Sequence, residues 1–193
     1  NLGNVKTRSG DTTLRSEWSF PVIDRIFDQV RAPLGFGQQG YYLFGHSAGS
    51  QFVHRMIMFS PSKKMIAAVA ANAGWYTEPD ITVDFPYGLN DAPADKEILR
   101  QAFRQKLTVM LGQDDNDETH RSLRRTVEAN RQGPHRLARG RHFYRRSKEI
   151  AGQLRMPFLW RLKEVSGIAH SGSGMAGPAA DVFFGSALDP ASK

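Results

Sequence analysis

Tyr41-Tyr42-Leu43-Phe44-Gly45-His46-Ser47-Ala48-Gly49 is the stretch on which the reading of this chain turns. A short apolar run of strand length leads into G-x-S-x-G, and apolar residues at helical spacing continue over 48–59. A serine on so tight a strand-to-helix turn needs strained backbone angles, and glycines at 45 and 49 are expected to keep side chains out of the way. The turn lifts the Ser47 hydroxyl clear of the sheet. It also aims the Ala48 N–H and the positive end of the helix at the place where an oxyanion would form. Ser47 is the candidate nucleophile and Ala48 the candidate oxyanion donor. His46, which points away from its neighbour's hydroxyl in such a turn, reads as a packing or pocket residue.

A serine hydroxyl is a weak nucleophile and needs a base that is itself held by a third group. On a sheet of this kind the partners follow in the order serine, acid, histidine, each just past a strand. The strand expected over 107–111 ends in Gly112-Gln113-Asp114-Asp115-Asn116-Asp117. Asp115 is the preferred acid, with Asp114 and Asp117 as alternatives, one of which would cap the next helix. The same cluster lacks the D-x-D-x-D-G spacing of a calcium loop, and no metal is expected. Of the four histidines beyond Asp115, His120 lies at a helix start, and His135 and His142 lie in an arginine-rich stretch with no strand before them. His170 alone follows a strand, expected over 158–165, and the turn Ser166-Gly167. It is the candidate base.

The remaining pattern alternates the two element types. Helices are expected over 17–30, 94–104, 118–131, 142–153 and 176–184, and a further buried strand over 65–71. The resulting fold class is α/β, a mostly parallel sheet with helices on both faces. Residues 72–93 read as one irregular, pocket- or lid-like segment. Within it Trp75 and Tyr76 are the candidate pocket lining, the alternative being that they pack the loop. His54, on the helix behind the serine, reads as a buried, hydrogen-bonded residue. Of two G-x-G-x-x-G matches, the one at 35–40 precedes a strand instead of following one, and the one at 172–177 follows a strand but has no second strand and no acid about 20 residues on, so no cofactor is expected.

The 193 residues suffice for a single domain spanning 1–193. No apolar run reaches the roughly 20 residues of a membrane span. With no cysteine there are no disulfides and no thiolate chemistry. The compartment stays open, with a slight lean to a soluble cytoplasmic protein. The net charge of +7 is uneven: 13 of the 26 basic residues fall within 121–163, against two acids there, Glu128 and Glu149. This stretch reads as a solvated helical face. No nucleic-acid motif accompanies it, and no nucleic-acid or membrane partner is expected. The oligomeric state is left open.

Leu43-Phe44-Gly45-His46-Ser47-Ala48-Gly49, Leu111-Gly112-Gln113-Asp114-Asp115 and Val165-Ser166-Gly167-Ile168-Ala169-His170 together resemble the α/β-hydrolase superfamily, within it the dienelactone-hydrolase and polyhydroxyalkanoate-depolymerase-like group. The resemblance covers most of the chain from Trp18 onward. It implies cofactor-free hydrolysis of an ester or related acyl bond in a small-molecule substrate. One departure stands out. Only 46 residues precede Ser47 and they hold no convincing strand, whereas the superfamily's sheet has several strands there. The chain is therefore expected to be an N-terminally truncated piece, to lack the loop that donates the second oxyanion N–H, and to expose its nucleophile strand as an edge. Such a piece should show low activity and aggregate readily. Two further readings remain: a non-catalytic binding protein with the same fold, and a serine peptidase or acyltransferase with the same three residues.

Overall fold

The computed structural model describes residues 2–35 and 37–188. Four strands, β1 (Tyr41–His46), β2 (Met65–Ala71), β3 (Leu107–Gly112) and β4 (Arg161–Val165), pair in parallel in the order β1-β2-β3-β4. Among the described residues six α-helices surround them: α1 (Val22–Leu34), α2 (Ala48–Phe59), α3 (Lys96–Arg104), α4 (Val127–Gln132), α5 (Arg136–Gln153) and α6 (Gly172–Leu188). Strand order that advances in one direction, through right-handed crossovers, puts every connecting helix on the same face. The side chains follow this rule. Ala68 and Ala70 of β2 and Leu107, Val109 and Leu111 of β3 share a core with Val53 and Ile57 of α2, Phe103 of α3 and Phe143 and Ile150 of α5. Val69, Ala71 and Met110, the alternate residues, face Met175 and Ala179 of α6. Period-two patterning thus sorts the strands between two cores, and among the described residues α6 alone covers the second.

β1 is an edge of the described sheet, and Tyr42 on it packs against Phe183 and Phe184. Among the described residues, the only ladder contact upstream of β1 is an isolated antiparallel bridge between Lys6 and Thr12. No described helix is long and apolar enough to cross a membrane. The glycine-rich match at 35–40 includes Phe36, which lies outside the described residues.

Several boundaries differ from the periodicity. The helix expected over 17–30 begins only at Val22, because Trp18 and Phe20 are core residues of the turn that leads into it. The helix expected over 118–131 is largely absent. Asp117 accepts from the N–H and hydroxyl of Thr119, a local turn that competes with helix, and α4 starts at Val127 behind a Thr126 cap. α5 starts six residues earlier than the 142–153 expectation, at Arg136, with His135 as its cap. Its first turns bury arginines, which hid its inner face from an apolar count. The strand expected from 158 pairs only from Arg161, since Leu159 N–H and Trp160 Nε1 donate instead to carbonyls of α3, Phe103 and Ala102. α6 extends past the expected 176–184 in both directions.

The 72–93 segment is tied down. Arg139 of α5 donates to Gly74 O, Gln132 bonds both backbone groups of Tyr76, and Arg146 pairs with Asp80 at 2.6 Å. His54 is fully buried: its Nδ1 donates to Ser50 O and its Nε2 accepts from Thr77 N–H. Burial, and then the neighbouring Arg55, hold this imidazole neutral well below the ordinary value of 6.5. The unfolded chain therefore binds a proton that the fold refuses. Stability should be complete above pH 6.5 and fall by up to about 1.4 kcal/mol per unit as pH drops below it. In His54→Gln, whose amide offers one donor and one acceptor, that acid slope should flatten by about one proton, as read from denaturant midpoints between pH 7 and 5.

Candidate active site

The turn after β1 holds Ser47 at φ 55°, ψ −112°, in the left-handed half of backbone space, where a non-glycine residue is strained. Tertiary contacts hold it there. Ser47 N–H donates to Ala71 O at the end of β2, at 2.9 Å. Gly45 permits the turn, since a Cβ there would collide with the carbonyl of Gly49 and with Val53. The same requirement expected at Gly49 is not seen: a Cβ at 49 meets nothing within 4 Å. Its backbone, not its missing side chain, shapes the elbow. Ala48 is the first residue of α2, where backbone N–H groups have no intrahelical partner.

β3 carries Asp115 to the same sheet edge. The close approach of Gly112 to Ile168 O leaves no room for a Cβ, so the acid turn lies directly against the turn that presents His170. Asp115 is 3% exposed, and its Oδ2 is 2.8 Å from His170 Nδ1. His170 Nε2 is 3.0 Å from Ser47 Oγ. An ionised carboxylate only accepts, so Nδ1 carries the imidazole proton and Nε2 is left to accept from the serine hydroxyl. The alternative acids do other work. Asp117 is fully exposed, and its bonds to Thr119 hold its carboxyl below the ordinary range. Asp114 is exposed, and its N–H donates to Ile168 O.

Three residues that sequence reading passed over complete the arrangement. Asn72, directly after β2 at φ 51°, accepts from Gly112 N–H at 2.8 Å and donates to Ala169 O at 3.2 Å. Its tolerance of left-handed backbone at a strand end was the available signal. Arg136, 2% exposed, donates through Nη1 to Asp115 Oδ1. His120 stands edge-on to His170, ring centroids 5.6 Å apart. Nothing in the sequence marks Arg136, because an arginine among arginines reads as surface, and His120 is weighed there only as a base. The solvated-face reading of 121–163 is accordingly corrected at Arg136 and Arg139, both buried and bonded to polar groups of the fold.

The expected pocket residues separate. His46 flanks His170, centroids 4.6 Å apart, and burial followed by the nearby His170 keeps it below its ordinary value. Tyr76 is fully buried and stacks on Phe143 at 4.5 Å, so it belongs to the core and not to a pocket wall. Trp75 is also buried, sandwiched between Arg55 and Arg124 at 4.3 and 4.9 Å and packed on Tyr87. Both aromatics pack the loop, because the polar groups that anchor 72–93 draw it inward against α5. Among the described residues no cluster of His, Asp and Glu has a metal-binding arrangement.

Asn72→Ala should strand a buried N–H and cost about 2–3 kcal/mol in denaturant unfolding. It should also weaken the coupling between the acid and base turns. Asn72→Asp keeps the acceptor for Gly112 but sets a buried carboxylate oxygen against Ala169 O, so it should lose at least as much stability.

No protein-family model matches the chain, and none of the curated proteins does. Two solved structures superpose on nearly all of it. Poly(aspartic acid) hydrolase-1 from Sphingomonas sp. KT-1 is 45% identical with a TM-score of 0.91, over 94% of this chain and 69% of that one. LpqC, a poly(3-hydroxybutyrate) depolymerase from Bordetella parapertussis, is 35% identical with a TM-score of 0.90, over 96% of this chain and 62% of that one. This chain thus spans about two thirds of the length of each. With this parallel sheet, this elbow and identity of that order to two hydrolases, the chain belongs to the α/β-hydrolase superfamily, in the depolymerase-like group.

Proposed function

We propose that the chain is a serine hydrolase that cleaves an ester or related acyl bond through an acyl-enzyme. The observation that carries this reading is the unbroken row from Ser47 Oγ to His170 Nε2, at 3.0 Å, and from His170 Nδ1 to Asp115 Oδ2, at 2.8 Å. Ser47 attacks the carbonyl carbon as its proton passes to His170 Nε2. The imidazolium is stabilised by Asp115, which stays ionised. The Ala48 N–H and the start of α2 receive the oxyanion. His170 then protonates the leaving group, and the Ser47 ester remains. A water molecule, deprotonated by the same nitrogen, attacks that ester and releases the acid.

The substrate class follows from chemistry shared by the two neighbours, one a hydrolase of poly(aspartic acid) and one a depolymerase of poly(3-hydroxybutyrate). Both polymers are linear chains of repeated carbonyl linkages. The net charge of +7 supports the anionic one, because a cationic surface raises the encounter rate of a polyanion in a salt-dependent way.

Three measurements test these readings. A fluorophosphonate probe should label the wild-type chain and leave Ser47→Ala unlabelled, and Ser47→Ala should lose about 10³-fold or more in p-nitrophenyl ester hydrolysis. On poly(aspartic acid), kcat/KM should fall as sodium chloride rises from 50 to about 500 mM, with a neutral p-nitrophenyl ester unaffected. Equal salt responses for the two substrates would remove the argument for the anionic polymer and leave the serine chemistry standing.

A further inference from the structure

We infer that Arg136 is a positioning residue for the candidate base, acting through Asp115. The inference rests on the Ser47–His170–Asp115 reading above. Asp115 has two oxygens and both are used inside the protein. Oδ2 accepts from His170 Nδ1 at 2.8 Å, and Oδ1 accepts from Arg136 Nη1 at 3.2 Å. The carboxylate and the guanidinium are 3% and 2% exposed, so bulk water screens neither. The other arm of the same guanidinium, Nη2, donates to Ser122 Oγ at 2.9 Å and to His120 Nδ1 at 3.2 Å. One planar fork therefore fixes the acid on one side and the His120 ring, which stands edge-on to His170, on the other.

Two consequences follow from this geometry. The carboxylate plane is clamped, so the Oδ2 lone pair stays aimed at Nδ1 and His170 keeps its direction toward Ser47. Arg136 also offsets part of the carboxylate's field at His170, so the imidazolium is stabilised less than it would be beside a lone Asp115. The charged and titratable groups facing His170 are Asp115 from the turn after β3, Arg136 from α5 through that carboxylate, His120 from the 113–126 segment and His46 from the end of β1. Among them Arg136 is the permanent cation. Its placement at the first residue of α5 is itself fixed locally, since Leu137 N–H donates to Asp115 O at 3.1 Å.

The test measures pH profiles of kcat/KM on p-nitrophenyl butyrate, and of the fluorophosphonate labelling rate, for wild type, Arg136→Gln, Arg136→Met and Arg136→Lys. Removing the cation should move the acid limb of both profiles upward by about half to one pH unit. It should also lower kcat roughly ten-fold with KM little changed, because Arg136 touches no substrate. Arg136→Lys keeps the charge without the fork. Its limb should stay at the wild-type position while kcat still falls. A role confined to folding would lower the denaturation midpoint and leave the limb where it was, and that result overturns the inference. If neither uncharged variant folds, the lysine variant decides: kcat reduced roughly ten-fold with the denaturation midpoint unchanged supports the inference, and kcat at the wild-type level overturns it. A wild-type chain that fails to label overturns the Ser47 reading itself, an outcome distinct from loss of the role assigned to Arg136.

Discussion

The carboxamide of Asn72 joins the ends of three strands. It accepts from Gly112 N–H where β3 gives way to the acid turn, and it donates to Ala169 O immediately before His170. Its own N–H donates to Met110 O, and the residue before it, Ala71, accepts from Ser47 N–H. The three turns that carry Ser47, Asp115 and His170 are thus held at one spacing through the end of β2, a strand that contributes none of those three side chains. A parallel ladder fixes strand separation but leaves each turn free to tilt. Bonds between turns remove that freedom, and a hydrogen-bonded row of three side chains requires that it be removed.

The second constraint is electrostatic. A buried carboxylate is costly unless it is paired and hydrogen-bonded. Asp115 meets that condition with one oxygen on His170 and one on Arg136. Breaking either pair leaves an uncompensated charge in a dry place, so the carboxylate, the imidazole and the guanidinium behave as one unit. The same logic explains Arg139, whose bond to Gly74 O ties the irregular 72–93 segment to α5 while its bonds to Gly133 O and Asn130 Oδ1 fix the guanidinium against α4. A loop that carries many backbone polar groups can be buried only if such donors reach it.

The sheet explains why the site lies where it does. All four strands run the same way, so their C-terminal ends and the turns that follow share one edge. α2, α3 and α5 fill one face, and α6, which starts two residues after His170, returns across the other. The turn that carries His170 thus leads directly into α6, whose Met175 and Ala179 pack against Val69, Ala71 and Met110 and hold it to the sheet.

What the sequence determined by itself was local and punctuated. Strand, Gly45, Ser47 and helix lie within a few residues of one another, and backbone strain there admits few side chains. The order of Asp115 and His170 behind their strands was legible for the same reason, as were the alternating residues of β2 and β3. Other features depended on partners far away in the chain. Arg136 and Arg139 look like surface residues until a carboxylate 21 positions away and a carbonyl 65 positions away bury them. Trp75 and Tyr76 look like pocket lining until α5 draws their loop inward. Helical periodicity over 118–131 gave way to a turn because Asp117 and Thr119 offered the backbone a nearer partner. Local strain can be read from neighbouring residues. Desolvation depends on what the fold brings alongside, and only the tertiary structure decided that.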